Sequence, residues 1–250
     1  MDETVQRLSR RLKRRGYQVL PNKETGEYVR SLGFQVQTVF DVGVAGGTAH
    51  LYAAFPESKF VLIEPIADYE AKLRRKWADK IDFDFHACGV GAENGETTLR
   101  IPTVGARSMG TRATMLEFDD AATAQMSKIE ERHVPVKTLD EIASSYKGPF
   151  GLKIDTEGFE IEVVRGASEM LKNCAFVLAE VSTRRRYQGG YKFSDFVSVM
   201  AEHGFELHDF IRPPSLQATD CDAIFAPFNS SLFDYRDLKL SRVASKDTKS

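Results

Sequence analysis

A glycine-rich turn after an apolar run constrains the fold of this chain more than any other feature. Residues 38–48 read TVFDVGVAGGT, so three glycines fall within five positions directly after a β-branched segment. The apolar run predicts the end of a buried strand, and glycines permit positive φ and close approach of a ligand to the backbone. Residues 49–55 are apolar and predict a helix. Together they form the first half of a nucleotide-binding βα unit.

The turn favours a ligand other than a dinucleotide. Its glycines, Gly43, Gly46 and Gly47, are spaced G-x-x-G-G, whereas the dinucleotide fingerprint is G-x-G-x-x-G. Asp41 precedes the first glycine, and its carboxylate would repel a pyrophosphate. We therefore expect a ligand that brings positive charge or hydrogen-bond donors to the start of the following helix.

Acidic residues close several of the predicted strands. Strands and helices alternate along the chain, and four apolar runs end in Asp41, Glu64, Asp155 and Glu180. In open parallel sheets, ligands bind outside the carboxyl ends of the strands. Glu64 follows the glycine turn by about twenty residues, which is where a carboxylate takes ribose hydroxyls in such folds. These four carboxylates therefore predict a ligand site at one edge of the sheet.

Composition excludes several broad classes of protein. The chain has 250 residues, 42% of them hydrophobic, and a net charge of −2, so there is no general bias toward nucleic acid. No apolar run approaches the roughly 20 residues of a membrane-spanning helix, and the polar, basic start does not resemble a secretory signal. The three cysteines are scattered without metal-binding spacing. We expect a protein of the reducing cytoplasm.

The chain divides into three predicted segments. Residues 1–37 form a helical extension that begins with a basic helix over residues 1–16, in which Val5, Leu8 and Leu12 share one stripe. This helix either docks through its leucines or makes peripheral contact with an anionic surface or glycan. Residues 38–228 hold the α/β domain, and residues 229–250 a charged tail. Residues 102–132 have weak periodicity and are too long for an ordinary connection, which predicts an insertion or lid.

Several motifs together resemble one enzyme family. Residues 40–48 resemble the first motif of S-adenosylmethionine-dependent methyltransferases, and residues 62–65 (LIEP) resemble the second. Residues 136–140, 152–160 (LKIDTEGFE) and 163–167 are similar to the signature of the FkbM-type methyltransferases. The resemblance extends from about residue 38 to residue 226. One departure is Gly46, because the family often has Asn after the Ala of the first motif.

The resemblance implies a fold and a reaction. The fold is α/β, a Rossmann-like class I methyltransferase with a seven-stranded, mostly parallel sheet, an antiparallel last strand and helices on both faces. The reaction is methyl transfer from S-adenosyl-L-methionine to a hydroxyl of a sugar, glycan or related natural product. The expected partner is accordingly a small-molecule or glycan acceptor, and no nucleic acid. The residues expected to bind the cofactor are Asp41, Gly43, Ala45, Gly46, Glu64, Pro65, Cys88 and Gly89.

Transfer to an alcohol requires in-line positioning and removal of a proton. Asp155 and Glu157 are the candidate general bases, because one ends a strand and the other begins the next predicted helix. His133 is the second choice of base. A metal-assisted variant uses Asp155 and Glu180 to hold Mg or Mn, which would lower the pKa of the acceptor hydroxyl.

Acceptor binding is expected from loops. Arg184, Arg185 and Arg186 form either a clamp for an anionic or glycan acceptor or a solvated basic loop, and Tyr187 or Tyr191 is expected to stack on a sugar ring. The full set of candidate acceptor-binding residues is Ser108, Arg112, Glu180, Arg184 and Tyr187. Two other functions stay open on the same fold, an RNA methyltransferase and a non-catalytic nucleotide-binding regulator.

Overall fold

A computed structural model describes residues 3–17, 21–184 and 187–234. Predictions about Arg185, Arg186 and most of the C-terminal tail lie outside the described residues. The strands are β1 (Thr38–Val42), β2 (Lys59–Ile63), β3 (Asp82–His86), β4 (Gly89–Val90), β5 (Gly95–Val104), β6 (Arg107–Ser108), β7 (Lys128–Lys137), β8 (Phe150–Ile154), β9 (Cys174–Ser182), β10 (Phe205–Arg212) and β11 (Asp220–Pro227).

Helices cover the sheet and connect its strands. They are α1 (Glu3–Lys13), α2 (Gly26–Ser31), α3 (Ala49–Ala54), α4 (Tyr69–Trp77), α5 (Asp120–Thr123), α6 (Leu139–Ala143), α7 (Glu160–Arg165), α8 (Ser168–Leu171) and α9 (Phe193–Glu202). Two 3₁₀ turns lie at Gly110–Arg112 and Ser231–Phe233. Among the described helices, none combines the length and the apolar character needed to span a bilayer.

Seven strands form the main sheet, in the order β10-β11-β9-β8-β1-β2-β3. β1 lies in the centre and pairs in parallel with β2 and β8. β11 pairs antiparallel with both β9 and β10, whereas the other pairs of this sheet are parallel. This order and this single reversed strand confirm the expected class I architecture. The parallel strands end at a common edge, where a ligand site is expected.

The central strand shows why the sheet is buried on both faces. All five residues of β1 are buried. Side chains alternate across a strand, so Val39 packs in one apolar cluster and Phe40 in the other. The Val39 side is covered by α2, α3 and α4, and the Phe40 side by α6, α7, α8 and α9. Burial of a Phe side chain contributes roughly 1.5–3 kcal/mol, so this double layer fixes the position of the strand ends.

A second, four-stranded sheet has the order β4-β7-β5-β6 and includes parts of residues 102–132, the segment predicted to be an insertion or lid. β5 continues to Val104, and β7 begins at Lys128 and pairs antiparallel with β5 along its length. The periodicity of this segment is weak because residues 128–133 (KIEERH) are mostly exposed. The small apolar cluster beneath this sheet includes Leu99 and Met115.

Two element boundaries differ from those expected. β9 continues to Ser182, so Glu180 lies within the strand rather than at its end. α7 begins at Glu160, not at Thr156. Residues 155–159, between β8 and α7, form a turn in which Glu157 has a φ of 52° and Gly158 a φ of 103°. Glu157 therefore projects from a strained turn and not from the first turn of a helix.

Candidate functional site

A cleft of about 260 Å³ opens at the carboxyl ends of β1, β2 and β8. The glycine turn forms its floor, and the second sheet contributes one wall. The lining includes all but one of the residues expected to bind the cofactor, namely Gly43, Ala45, Gly46, Glu64, Pro65, Cys88 and Gly89. Their role in binding stays a prediction, and we call this cavity the donor cleft.

Gly43 follows β1 and lies against the backbone just after β8, the neighbouring strand. Its φ is 74°, and a Cβ at this position would lie 1.7 Å from the carbonyl oxygen of Asp155. No other residue type fits here without moving the backbone. Gly46 differs, because a Cβ there would meet no heavy atom within 4 Å. The Asn that the family often carries at this point would therefore have room.

Glu64 is a buried carboxylate at the mouth of the cleft. It is 5% exposed, and its two oxygens accept one backbone hydrogen bond each, from Ala45 at 3.1 Å and from Ile66 at 3.0 Å. Burial raises the pKa of Glu64 to about 6, against the lowering effect of these two N–H groups. Since a carboxylate has about four acceptor positions, Glu64 retains the capacity to accept two further donors such as ribose hydroxyls.

Asp41 was expected to contact the ligand directly or through water, but its side chain does not line the donor cleft. It is fully buried on the Val39 side of the sheet, where Tyr52 of α3 donates a hydrogen bond of 2.6 Å to its Oδ2. The reason is strand alternation, which directs this side chain beneath α3. Its Oδ1 lies 3.6 Å from Nζ of Lys153. Asp41 therefore acts on the site through Lys153.

Lys153 is the residue that sequence reasoning missed most clearly. It is buried in β8, and its Nζ donates a hydrogen bond of 2.9 Å to Asp155. Burial lowers the pKa of Lys153, but the carboxylates of Asp155 and Asp41 outweigh this effect and raise it. The signal was present in the chain, because a lone lysine within the apolar run FGLKI requires a partner.

Three carboxylates, from Asp155, Glu157 and Glu180, bring oxygen atoms within 4.8 Å of one another. Tyr187 donates a hydrogen bond of 2.8 Å to Glu157, and Arg212 donates one of 2.7 Å to Glu180. Burial, followed by the nearby carboxylates beginning with Asp155, raises the pKa of Glu180 to about 9. The two residues of the expected metal-assisted variant are thus neighbours, together with Glu157.

The tyrosines next to these carboxylates are structural. Tyr187 is 7% exposed, and its ring packs against Gly158, so it cannot present a face to a sugar. Tyr191 donates a hydrogen bond of 2.7 Å to Glu160, whose other oxygen accepts from the backbone of Gly158. The expectation that Tyr187 stacks on an acceptor is therefore wrong, and this ring holds Glu157 in position instead.

Four other predicted site residues lie away from the cleft. His133 is exposed on β7, on the opposite side from the buried Val134, so it cannot serve as the base. Ser108 and Arg112 are exposed, and the rim of the cleft is formed instead by neighbouring residues of their segment. Arg184 is also exposed and donates a hydrogen bond to the carbonyl of Leu216. The rim residues that sequence reasoning missed are Gly110, Thr111, Ala113 and Met115.

A second cavity of about 300 Å³ adjoins the donor cleft and shares Gly47, Thr48, Lys153 and Asp155 with it. We call it the acidic cavity. Its charged lining residues are Glu24, Asp155, Glu180 and Asp222 on the acidic side and Lys153 and Arg212 on the basic side.

Arg212 connects the acids of this cavity. Its guanidinium donates hydrogen bonds to Glu180 at 2.7 Å, to Asp220 at 2.6 Å and to Asp222 at 2.8 Å. His50 also lines the cavity, and its Nε2 is buried without a hydrogen-bond partner among the described residues. Burial lowers the pKa of His50 despite the nearby acids, so this imidazole is neutral at pH 7. The acidic cavity therefore carries more negative than positive groups.

The comparisons with known proteins agree with this geometry. Residues 41–207 match the Methyltransferase FkbM domain. Among solved structures, the chain is similar to the FkbM methyltransferase of Methylobacillus flagellatus KT, at 14% identity and a TM-score of 0.48 over 76% of this chain and 43% of that one. The chain thus aligns with less than half of that protein's length.

It is also similar to the magnesium protoporphyrin IX methyltransferase (ChlM) of Synechocystis PCC 6803, solved with bound SAM, at 11% identity and a TM-score of 0.45 over 82% of this chain and 79% of that one. A search of curated proteins finds no significant match. The family match alone covers well over half of the chain and includes the glycine turn, Glu64, Asp155 and Glu180. The chain belongs to the FkbM methyltransferase family.

Proposed function

We propose that this chain is an S-adenosylmethionine-dependent O-methyltransferase that acts on a hydroxyl of a sugar, glycan or related natural product, with Asp155 as general base. One observation carries the proposal. Asp155 lines the donor cleft and the acidic cavity at once, so a group bound in one cavity can meet a group bound in the other beside its carboxylate.

The residues of the donor cleft fit S-adenosylmethionine. Glu64 keeps acceptor capacity for two ribose hydroxyls, and the small residues Cys88 and Gly89 leave space for an adenine ring. Burial raises the pKa of the Cys88 thiol to about 11, so this wall is uncharged at neutral pH. When bound, the cofactor supplies a methyl group that its sulfonium already activates.

Residues of this chain then remove the proton of the acceptor hydroxyl. A neutral alcohol is a poor nucleophile, so Asp155 accepts the hydroxyl proton while the oxygen attacks the methyl group. Lys153 orients this carboxylate through its hydrogen bond of 2.9 Å. Asp41 of the neighbouring strand β1, which accepts a hydrogen bond from Tyr52, lies 3.6 Å from the same Nζ and helps to fix Lys153. Glu157, held by Tyr187, is the neighbouring carboxylate that stays as the second candidate base.

The charges of the acidic cavity favour an uncharged acceptor. With Glu180 protonated near neutral pH, three other acidic side chains still face two cations there, so an anionic acceptor would be disfavoured. This favours the glycan over the anionic option of the clamp expected from Arg184, Arg185 and Arg186. A neutral polyol matches the cavity better, because carboxylates and a guanidinium both hydrogen-bond hydroxyl groups.

A metal-assisted O-methyltransferase is the second candidate. The proximity of Asp155, Glu157 and Glu180 favours it, since hard cations such as Mg²⁺ or Mn²⁺ prefer carboxylate oxygens. Lys153 already pairs with Asp155, and Arg212 already binds Glu180, whose raised pKa of about 9 keeps it protonated near neutral pH; both points argue for the metal-free form. We expect EDTA to leave transfer within about twofold, whereas a loss of about 10²-fold restored by Mg²⁺ or Mn²⁺ would favour the metal.

The proposal is tested by labelling. The purified chain is incubated with a donor that carries a labelled methyl group and with separate pools of neutral glycans, anionic glycans, small hydroxyl metabolites and RNA. We expect label in a neutral hydroxyl pool and a loss of roughly 10²–10⁴-fold in Asp155→Asn. Label confined to RNA would favour an RNA methyltransferase, and donor binding without transfer to any pool would favour a nucleotide-binding regulator.

A further inference from the structure

The N-terminal helix α1 exposes its apolar stripe. Val5, Leu8 and Leu12 are spaced i, i+3 and i+7, which brings them to one side of a helix. Val5 is 42% exposed and Leu8 55% exposed, and Tyr17 just beyond the helix is 64% exposed. None of the three buried clusters of the described residues includes a residue of α1. The stripe is therefore available for a partner outside the chain's core.

The same helix concentrates positive charge. Residues 3–17 contain six basic side chains and one acidic one, a net charge of +5 in a chain whose total is −2. At 100° per residue, Arg7 and Arg10 lie on the side of the helix opposite the apolar stripe, and Arg11 lies on its flank. The rest of the chain carries the compensating negative charge. This asymmetry marks α1 as a separate electrostatic element.

We propose that α1 lies in the headgroup region of an anionic membrane, with Val5, Leu8 and Leu12 toward the acyl chains and the arginines against the lipid phosphates. The combination of an exposed apolar stripe with a basic face is what interfacial helices use. Nucleic acid would pair with the arginines but offers nothing to the stripe, which is why a lipid surface is favoured. With only three apolar side chains, attachment is reversible and salt-dependent. This inference does not depend on the methyl-transfer reaction.

Vesicle sedimentation of the purified full chain tests the proposal. One set of vesicles is phosphatidylcholine alone, and the other contains about 30% phosphatidylglycerol, which gives the negative surface that attracts basic segments. We expect binding to the anionic vesicles to be stronger by about tenfold or more, and to be lost when salt rises from about 0.1 M to about 1 M. Equal binding to both vesicle types would overturn the proposal.

Matched variants locate the contact. Leu8→Ser and the pair Arg10→Gln with Arg11→Gln should each reduce binding by about fivefold or more, since one removes stripe contact and the other charge. Leu216→Ser is the control, because Leu216 is 90% exposed and lies outside α1. Circular dichroism verifies that each variant is folded. Undiminished binding of both α1 variants, or binding to RNA but not to anionic vesicles, would contradict the membrane assignment.

Discussion

The donor cleft and the acidic cavity meet at Asp155 but are built in different ways. Small residues form much of the donor cleft, and the turns after β1 and β2 contribute eight of its lining residues. The acidic cavity is formed by long side chains, most of them charged. They come from the loop before α2, from α3 and from β8, β9, β10 and β11. A short motif can specify the first kind of site, whereas only the complete fold assembles the second. The two cavities should therefore respond differently to substitution.

The largest effect is expected where the two cavities share a buried charge. Lys153→Met removes the cation between Asp41 and Asp155, which lie 3.6 Å and 2.9 Å from its Nζ. Breaking such a buried arrangement typically costs 3–5 kcal/mol, so we expect a loss of about that size in the free energy of unfolding. Urea denaturation measures it. Adding Asp41→Asn should restore part of the loss, and the absence of any recovery would mean that the two side chains do not interact.

The next effect is expected from Gly43→Ala, which should damage the donor cleft. Its new Cβ would lie 1.7 Å from the Asp155 carbonyl, at a φ of 74° that is strained for Ala. We expect donor affinity, measured by calorimetry with S-adenosylhomocysteine, to fall about 10²-fold, which corresponds to roughly 2.7 kcal/mol. Gly46→Ala is the control, since its Cβ has open space. Equal losses in both variants would show that the clash does not control binding.

A smaller effect is expected in the pH dependence of donor affinity, because Glu64 lines the donor cleft and not the acidic cavity. The pKa of Glu64 is raised to about 6, so its carboxylate gains a proton as the pH falls from 7 to 5. Hydrogen bonds to a neutral acceptor are weaker than those to a charged one, so donor affinity should fall about fivefold over this interval. Calorimetry at several pH values measures the slope. Glu64→Gln should bind more weakly at pH 7 and show a flat profile, and a wild-type slope in this variant would exclude Glu64 as its origin.

The smallest effect is expected in the pH dependence of stability, through Glu180 of the acidic cavity. Because the pKa of Glu180 is raised to about 9, the folded state holds this proton more tightly than the unfolded chain does. The associated stability is fully present below the unfolded pKa of 4.5 and is lost progressively as the pH rises from there through about 9. Glu180→Gln cannot lose a proton, so its unfolding temperature should match the wild type at about pH 4 and exceed it increasingly up to about pH 9. Parallel pH profiles for the two proteins would contradict the raised pKa.

The same contrast explains what the sequence could predict. The strand, glycine turn and Glu64 lie close together in the chain, so their pattern predicted a ligand site at the strand ends, and the resemblance of these and later motifs to one family predicted the class I fold. The role of Asp41 was predicted wrongly, because an acid beside the glycine turn resembles a ligand contact. Strand alternation instead directs its side chain beneath α3. Arg212 gave no local signal, since its acidic partners Glu180 and Asp222 come from two other strands.

The strands within residues 102–132 could not be predicted for a related reason. β5 and β7 present polar side chains to solvent, and without apolar alternation a strand has no readable period. His133 was considered as a base only because its exposed position on β7 was not readable from the chain. Such residues can be assigned only after the antiparallel pairing of the second sheet is known.

The most direct measurement of the central claim compares donor binding with methyl transfer in Asp155→Asn. Asp155 lies between the two cavities, so its carboxylate should matter for the proton and little for the donor. We expect the affinity for S-adenosylhomocysteine to stay within about threefold of wild type while single-turnover transfer to the identified acceptor falls by roughly 10²–10⁴-fold. Transfer that persists at the wild-type rate, or an equal loss of binding and transfer, would contradict the assignment of Asp155 as the base.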